Sequence, residues 1–329
     1  MRIGITGEKG FIATNFAKEL EMLGHEFVSF DNSHAMSNMD YTETNEVCVY
    51  SNSVDGWVSL FKDCKIDAVV HNAAVVGTDV VALNPDYAVN TNVLGTTKIT
   101  EAANKAGILN VYIGTTVIYD TYKYQDSDIS EESDLYPRTN YAVQKLAGEQ
   151  IVRNNADNYL IVRPLFAYGG EGDMNSLISK TLYGVKNNIS NIDMFLNPEK
   201  IKDYMHVSDF CYNVIRLMES NIRNDDFNIT AENPHNTQEI VSLMEEVTGE
   251  DLSRVIKWHP ETDYLGNHRL TNQKYVSALG SSRTRSLKEG IRQSWDSIKA
   301  SDDNFNPLKY LQQARNTDVD LVRYFPKSN

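Results

Sequence analysis

Short apolar segments with strand character alternate with helical stretches through the first half of the chain, and this alternation constrains the fold more than any other feature. The segments lie at Arg2–Ile5, Glu26–Phe30, Val47–Tyr50, Ala68–His71, Val111–Gly114 and Leu160–Pro164. Segments such as Ala68–Val70 are apolar on both faces, which is typical of parallel strands that helices cover on each side. The pattern therefore predicts a doubly wound α/β domain built on a parallel sheet.

The first strand runs into a glycine turn, Thr6–Ala13, and then into a helical pattern. Gly7 can form the tight turn, and Gly10 lets a pyrophosphate approach the helix N-terminus, where N–H groups and the helix dipole favour an anion. This order of strand, turn and helix is typical of a Rossmann dinucleotide site. Asp31 and Asn32 follow the second strand, with Asp31 21 residues beyond Gly10. A carboxylate there accepts the ribose hydroxyls and repels a 2′-phosphate, which predicts NAD as the cofactor.

The alternation weakens after Tyr168, where glycine, asparagine and proline interrupt the chain before helical patterns return near 207–219 and 238–248. The length of 329 residues also exceeds that of a usual single domain. We therefore predict an NAD-binding Rossmann domain over 1–168, with 207–230 packing back onto it. Residues 169–206 and 231–329 are predicted to form a smaller C-terminal α/β lobe that binds substrate.

Charge and composition exclude several classes of partner. The net charge is −14, the pI is near 5.0 and lysine and arginine form no long run, so we expect neither nucleic-acid nor anionic-membrane binding. Cys48, Cys64 and Cys211 are far apart and lack metal-ligand spacing, which predicts no disulfide framework and no metal site. The N-terminus lacks the apolar segment of a signal peptide, and no apolar run approaches the length of about 18 residues that spans a bilayer. These features predict a cytoplasmic protein.

Tyr141 and Lys145 stand four residues apart in a helical pattern and therefore share one face. A tyrosine with a pKa of about 10 is a weak base at neutral pH, and a neighbouring cation favours its phenolate form. Upstream, the strand Val111–Ile113 leads to Thr115 and Thr116, which places hydroxyls at the carboxyl edge of the sheet, where such folds bind ligands. Thr115, Tyr141 and Lys145 are thus the predicted catalytic residues, with Thr115 hydrogen-bonding the reacting oxygen.

Two histidines and three tryptophans outside the catalytic set can be explained by packing. His71 closes a buried strand and is predicted to be a packed core histidine. His206 can face substrate or cap a strand, and the sequence does not separate these alternatives. Trp57, Trp258 and Trp295 are predicted to pack in the core, because no basic residues are interleaved with them.

Motifs that cover nearly the whole chain occur in a fixed order. They are Thr6–Ala13, Asp31-Asn32, His71–Ala74, Asn92–Thr96, Thr115–Tyr119, Tyr141-x-x-x-Lys145, Arg163-Pro164, Lys202–Asp209, Leu279-Gly280 and Leu287–Ile291. In this order they resemble the extended short-chain dehydrogenase/reductase superfamily. The segment Lys202–Asp209 resembles that superfamily's Arg-Asp-Tyr-Ile-His-Val-x-Asp segment. With this segment, the chain is most similar to the branch of NAD-dependent nucleotide-sugar epimerases and dehydratases.

The resemblance implies a tightly held NAD that takes a hydride from a sugar carbon while Tyr141 takes the hydroxyl proton. Lys145 would tune Tyr141 and hold the nicotinamide ribose. The cofactor contacts that the resemblance implies are Gly7, Gly10, Phe11, Ile12, Asp31, Asn32, Ala73, Ala74, Asn92, Tyr141 and Lys145. The implied contacts to a nucleotide-diphosphate sugar are Val76, Gly77, Thr115, Thr116, Lys202 and Arg269.

Departures from the family pattern bear on the reaction. Dehydratases of the family carry Asp-Glu after the residue that matches Thr115, whereas this chain has Thr116-Val117 and so lacks the acid that elimination needs. Phe166 stands where epimerases commonly have asparagine, and Lys202 replaces an arginine, which keeps the charge but loses the planar fork.

The predicted function is an NAD-dependent nucleotide-sugar epimerase, acting at C4 through a transient 4-keto sugar. A nucleotide-sugar reductase or dehydrogenase and a 4,6-dehydratase on the same scaffold remain alternatives, and a non-catalytic dinucleotide sensor is a further one. The resemblance also implies a homodimer that pairs through the helix carrying Tyr141 and Lys145. Leu146, Ile151 and Val152 would flank these residues on faces that one core leaves uncovered.

Overall fold

The computed structural model describes residues 1–7, 9–30, 49–170, 172–173, 176–263 and 265–301. Contacts between Cα atoms divide the chain into two units. The first unit contains Met1–Ile118, Asn140–Pro164 and Cys211–Phe227. The second contains Tyr119–Thr139, Leu165–Phe210 and the chain from Asn228 onward. The predicted domains, 1–168 with 207–230 and 169–206 with 231–329, remain a proposal.

The strands and helices alternate along the first part of the chain and become shorter afterwards. The strands are β1 (Arg2–Thr6), β2 (Glu26–Phe30), β3 (Ala68–His71), β4 (Leu109–Ile113), β5 (Tyr159–Pro164), β6 (Phe166–Tyr168), β7 (Ile192–Met194), β8 (Ile201–Lys202), β9 (Tyr204–His206), β10 (Asp225–Ile229), β11 (His235–Asn236) and β12 (Ile256–Trp258). The α-helices are α1 (Phe11–Met22), α2 (Val54–Asp63), α3 (Thr78–Leu83), α4 (Pro85–Val89), α5 (Thr96–Ala106), α6 (Asn140–Asn155), α7 (Leu177–Lys186), α8 (Val207–Glu219), α9 (Thr237–Thr248), α10 (Gln273–Leu279) and α11 (Leu287–Ala300). A π-helix spans Asn90–Gly95, and 3₁₀ turns span Thr116–Ile118, Leu252–Arg254 and Pro260–Thr262.

A six-stranded sheet with the order β10-β5-β4-β3-β1-β2 carries the first unit. β1 pairs in parallel with β2 and β3, β3 with β4, and β4 with β5. This confirms the predicted doubly wound parallel α/β fold. Because β2 and β3 lie on opposite sides of β1, the strand order reverses beside β1, and such sheets bind ligands at the carboxyl ends of the strands at this point. Thr6 and His71, which are register partners, end the two strands there.

The predicted strands appear as β1 to β5 with one exception, Val47–Tyr50. Val47 and Cys48 lie outside the described residues, and Val49 and Tyr50 form a turn. Val49 is apolar because it is buried against a core cluster that includes Trp57 and Phe61. The Trp57 ring lies 5.6 Å from that of Phe30 in an edge-on contact, which confirms its predicted packing role.

The second unit combines short strand pairs with a helical core. β6 pairs in parallel with β9, β7 with β12, and β8 antiparallel with β11. Helices α7, α9 and α11 supply the core through fully buried side chains such as Leu182, Ile240 and Ile291. Trp258 and Trp295 are partly buried and pack against this core, as predicted.

Candidate active site

The carboxyl ends of β1 and β3 are joined through the hydroxyl of Thr6. Thr6 Oγ1 accepts hydrogen bonds from the backbone N–H groups of Asn72 at 3.2 Å and Ala73 at 3.1 Å, and lies 3.0 Å from His71 Nδ1. On its other side, His71 Nε2 lies 3.0 Å from Thr96 Oγ1, which itself donates to a backbone carbonyl. These partners fit the tautomer in which Nε2 donates to Thr96 and Nδ1 accepts from the hydroxyl of Thr6. Burial, assisted by the positive charge of Lys145, lowers the pKa of His71 to about 3, which confirms the packed core histidine.

The glycine turn fits a bound pyrophosphate. Gly7 has φ of 70°, and a Cβ there would lie 2.8 Å from Ala73 Cα, so only glycine allows the turn to approach the end of β3. Gly10 donates its N–H to the carbonyl of Gly7 at 3.0 Å, and α1 begins at Phe11. Within the part of the chain that the structure describes, the N-cap Gly10 offers no side-chain cap and the first turn of α1 holds no acidic residue, so its N–H groups can bind an anion.

Asp31 and Asn32, which are predicted to bind the adenosine ribose, lie outside the described residues. Their role stays a prediction. Phe11 and Ile12 form the first turn of α1 and are partly buried, and Ala73 and Ala74 follow β3 with partial exposure. These four residues thus lie on the loops that leave β1 and β3.

Asn92 lies in the π-helix and is buried, and its side chain joins two segments of the first unit. Its Nδ2 donates to the carbonyl of Val75 at 3.0 Å and to Gln144 Oε1 at 2.8 Å, while its Oδ1 accepts from the N–H of Val75 at 2.8 Å. The structure therefore gives Asn92 a positioning role between the loop after β3 and helix α6. Its predicted contact with the cofactor remains a prediction.

Thr115 follows β4, whereas Tyr141 and Lys145 lie on α6. Thr115 is buried, and its Oγ1 accepts a long hydrogen bond of 3.4 Å from the N–H of Val117, which leaves its own proton to donate. Lys145 Nζ donates to the carbonyl of Ile113 at 2.6 Å and lies 4.2 Å from the centroid of the Tyr112 ring. Tyr141 is partly buried and packs against a cluster formed by Val75, Val81 and Ala88. The first unit thus contains all three predicted catalytic residues, with Lys145 bonded to the strand that leads to Thr115.

Helix α6 approaches β4 closely because of a glycine. A Cβ on Gly148 would lie 2.4 Å from Tyr112 Oη, so a larger residue would push α6 away from the strand. At the observed separation, Tyr112 Oη donates to the backbone carbonyl of Lys145 at 3.1 Å. Gly148 and Tyr112 therefore determine the distance between β4 and the part of α6 that carries Lys145.

Burial controls the charge of the residues around Lys145. It lowers the pKa of Lys145 to about 7, and the carboxylate of Glu149 acts in the opposite direction. Burial also raises the pKa of Tyr112 well above its ordinary value, and the charge that Tyr141 carries when ionised adds to this effect. Tyr112 therefore stays protonated, which leaves Tyr141 as the tyrosine suited to exchange a proton beside Lys145.

A cluster of two arginines and two carboxylates, which the sequence analysis did not identify, lies at the far end of α6 and is buried except at the partly exposed Arg153. Arg163 donates to both oxygens of Glu149, Nε to Oε2 at 3.0 Å and Nη2 to Oε1 at 2.5 Å, and lies 2.7 Å from Asp226. Arg153 lies 3.3 Å from Glu149 and 3.1 Å from Asp226. The sequence carried one signal for this cluster, because Glu149 stands one helical turn after Lys145.

The two cations predicted to hold a diphosphate both have acidic partners in the second unit. Lys202 has no exposed surface, and its Nζ lies 3.4 Å from Asp263 Oδ2 and 3.3 Å from the carbonyl of Gly266. Arg269 is about one-third exposed and contacts Asp128 through Nε at 3.0 Å and Nη2 at 2.8 Å. The predicted contact of Lys202 with a diphosphate remains a prediction, and the structure shows its ammonium enclosed beside Asp263.

The other predicted substrate contacts lie in two loops of the first unit. Val76 is 58% exposed, and Gly77, with φ of 101°, precedes α3. Thr116 is buried and its hydroxyl donates to the carbonyl of Pro164 at 3.2 Å. Val76 and Gly77 thus lie in an accessible loop after β3, where a ligand can contact them. The hydroxyl of Thr116, by contrast, already donates to a backbone carbonyl.

Three further observations concern the described part of the chain. Cys64 and Cys211 are free thiols. Among the described residues, His, Cys, Asp and Glu form no group of three or more that is arranged to hold a metal ion. Within the same residues, no helix combines the length and the apolar character that crossing a membrane requires.

Comparison with known proteins places the chain in a family. Residues 3–230 match the model of the NAD dependent epimerase/dehydratase family. The UDP-glucose 4-epimerase of Mycolicibacterium smegmatis is 24% identical over 318 residues, which cover 88% of this chain and 96% of that protein.

Two solved structures share the fold. The dTDP-glucose 4,6-dehydratase of Bacillus anthracis in complex with NAD has a TM-score of 0.78 at 18% identity and covers 94% of this chain and 99% of its own. The UDP-glucose 4-epimerase of Thermus thermophilus in complex with NAD has a TM-score of 0.76 at 20% identity and covers 92% and 100%. Identity at this level shows the fold alone, whereas the family model covers more than half of the chain. The chain therefore belongs to the NAD-dependent epimerase/dehydratase family of enzymes, in agreement with its resemblance to the extended short-chain dehydrogenase/reductases.

Proposed function

We propose that the protein is an NAD-dependent nucleotide-sugar epimerase that inverts C4 through a transient 4-keto sugar. The observation that carries the proposal is the complete set of Thr115, Tyr141 and Lys145 in one unit, followed by Thr116 and Val117 instead of acidic residues. The set supplies a hydrogen-bond donor, a proton carrier and a cation. The missing acid disfavours loss of water.

Each of the three residues has a separate task in this reaction. Thr115 donates its hydroxyl proton to the sugar oxygen and orients it. Tyr141 takes the proton of the sugar hydroxyl as the ketone forms and returns it as the ketone is reduced. Lys145 favours the phenolate form of Tyr141 by its charge, while its bond to the carbonyl of Ile113 holds it in place.

The residues of the first unit fit NAD. NAD held by this unit would supply the hydride acceptor and donor that inversion of a sugar carbon requires. We propose that the N-terminus of α1, with Gly7 and Gly10, holds the pyrophosphate, because the turn is glycine-lined and uncapped. The remaining cofactor contacts proposed are Phe11, Ile12, Asp31, Asn32, Ala73, Ala74, Asn92, Tyr141 and Lys145.

The two rival reactions make different demands on the site. A 4,6-dehydratase needs an acid and a base beside Thr115, and Thr116, whose hydroxyl already donates to Pro164, cannot supply a carboxylic acid. A reductase or dehydrogenase uses the same three residues but exchanges its cofactor with solution. A non-catalytic sensor has no need of Tyr141 and Lys145, so their presence disfavours it.

The substrate that we propose is a nucleotide-diphosphate sugar. Val76, Gly77, Thr115, Thr116, Lys202 and Arg269 remain the proposed contacts. For Lys202 and Arg269, the phosphates would have to compete with Asp263 and Asp128.

A cytoplasmic homodimer also remains a proposal. Val143 on α6 is 51% exposed, and Val89 and Leu94 are 46% and 42% exposed, which supports pairing through apolar helix surfaces. Val152, by contrast, is fully buried and cannot contribute to such a surface. Light scattering at micromolar concentration tests this proposal, and a monomer would refute it.

Product analysis separates the candidate reactions. The purified protein is incubated with NAD and, separately, with UDP-, GDP-, CDP- and dTDP-sugars, and the products are resolved by NMR. An epimerase yields the C4 epimer without lasting formation of NADH. Accumulation of a 4-keto-6-deoxy sugar would indicate a dehydratase, and stoichiometric change of the cofactor would indicate a reductase or dehydrogenase. Y141F serves as the control for reactions catalysed at another site.

A further inference from the structure

Glu149, the member of the arginine–carboxylate cluster nearest in sequence to Lys145, lies one helical turn after it on α6. Glu149 is 1% exposed, and this spacing places the two side chains on one face of the helix. Arg163, on β5, grips both oxygens of this carboxylate, which fixes the direction in which the carboxylate points. A carboxylate held in this way cannot turn toward solvent.

The charges of the cluster balance without Lys145. Arg153 and Arg163 contribute two positive charges, and Glu149 and Asp226 contribute two negative charges. Lys145 is therefore an additional cation, whose ammonium is bonded to a neutral carbonyl. Its charge depends on which groups surround it.

The ionisable groups that face Lys145 come from three elements. Tyr141 and Glu149 lie on its own helix, Tyr112 on β4, and His71 on β3. His71 is neutral and Tyr112 stays protonated, as shown above. Glu149 is thus the group among these that carries a negative charge in the resting protein and favours the cationic form of Lys145.

We propose that Glu149 is a positioning residue whose buried carboxylate, clamped by Arg163 one helical turn away from Lys145, keeps Lys145 in its charged form. The inference rests on the proposed roles of Tyr141 and Lys145. Asp226 shares both arginines with Glu149 but lies on β10, so it stabilises the cluster without acting on Lys145 directly. This difference between two carboxylates of one cluster makes the proposal testable.

The test follows the ionisation of Lys145 itself in the full chain. Protein labelled with ¹³C at lysine Cε is titrated by NMR, and K145Q identifies the signal of Lys145. E149Q is expected to lower the titration midpoint of Lys145 by about one pH unit or more, which is a change of about tenfold in the equilibrium. D226N, the matched control, removes the same charge from the same cluster and is expected to move the midpoint by much less.

Several outcomes would overturn the inference. An unchanged midpoint in E149Q, or an equal shift in E149Q and D226N, would leave Glu149 with a merely structural role. If E149Q does not fold, E149Q/R163Q removes both charges of the pair and avoids an unpaired buried ion. The midpoint is expected to fall in this double variant too, because the charge that acts on Lys145 is that of Glu149 and not that of Arg163. An unchanged midpoint there would also overturn the inference, whereas failure of the proposed epimerase would appear in product analysis and leave these titrations unaffected.

Discussion

Lys145 Nζ donates a hydrogen bond of 2.6 Å to the carbonyl oxygen of Ile113, the last residue of β4. Thr115 follows two residues later, so the bond ties the face of α6 that carries Tyr141 to the strand end that leads to Thr115. The acceptor is a main-chain atom, which side-chain substitution at Ile113 does not remove. The spacing between the proposed catalytic residues is thus fixed by the backbone.

Replacing Tyr141 by phenylalanine tests the proton carrier. Y141F is expected to bind NAD with wild-type affinity and to lose turnover by about 10² to 10⁴, the range for removal of a general acid/base. Y159F, which alters a buried tyrosine on β5, is the matched control and should retain activity. Steady-state kinetics give the result, and a loss below about tenfold would require another proton carrier.

Replacing Asp31 tests the cofactor preference. D31A is expected to weaken NAD binding and to narrow the preference for NAD over NADP, because the carboxylate no longer accepts the ribose hydroxyls or repels a 2′-phosphate. Titration calorimetry measures both affinities. E101A removes an exposed carboxylate that pairs with Lys105 and should leave both affinities unchanged. Equal binding of NAD and NADP by the wild type would contradict the role of Asp31.

Alanine substitutions at two glycines with similar positive φ distinguish the cost of backbone strain from the cost of a steric clash. Gly7 has φ of 70° and Gly24 has φ of 77°, but only at Gly7 does a Cβ meet another atom, Ala73 Cα at 2.8 Å. G24A is expected to lower the free energy of unfolding by about 1 to 2 kcal/mol, the usual penalty for a left-handed residue. G7A should cost more and should also weaken NAD binding. Denaturant unfolding compares the two, and equal losses would show that the contact with Ala73 is relaxed.

Replacing Lys202 tests whether its buried ion pair is structural. K202M leaves Asp263 buried without its cation and is expected to lower the free energy of unfolding by about 3 to 5 kcal/mol. K202M/D263N removes both charges and should recover part of this loss. Thermal unfolding measures the change. A normal melting temperature together with a raised KM would instead support the predicted contact between Lys202 and the diphosphate.

Because His71 is buried in its neutral form, we expect the free energy of unfolding to fall as the pH is lowered. Its pKa is about 3 in the folded chain and about 6.5 in the unfolded chain, so the unfolded state binds more protons between these values. Stability from the neutral imidazole is complete above pH 6.5 and is lost as the pH falls toward 3, by about 1.4 kcal/mol per pH unit within the window. H71Q should flatten the curve over this window. His206, whose pKa is lowered to about 4, contributes a separate decline that H71Q leaves intact.

The local patterns predicted the first five strands and helix α6, because apolar runs and i, i+4 spacing are properties of neighbouring residues. The family was predicted from ordered motifs for the same reason. The partners of Lys202 and Arg269 could not be predicted, since Asp263 lies 61 residues after Lys202 and Asp128 lies 141 before Arg269. Val49 and Tyr50 were misread as part of a strand, because an apolar turn that packs in a core has the composition of a strand. Long-range pairing and burial, unlike periodicity, depend on the whole fold.

The π-helix at Asn90–Gly95 limits how the chain can change in length. A π-turn holds one residue more than an α-turn, so deleting one residue there would restore an ordinary helix without breaking the chain. The flanking helices would keep their orientation, but the residues of the turn itself would move to new positions around the helix axis. Asn92 would then no longer meet both Val75 and Gln144. The helix would thus tolerate loss of one residue in this turn, but the hydrogen bonds of Asn92 to Val75 and Gln144 would not. Variants of this sequence that keep a working site should therefore keep the number of residues in the π-helix.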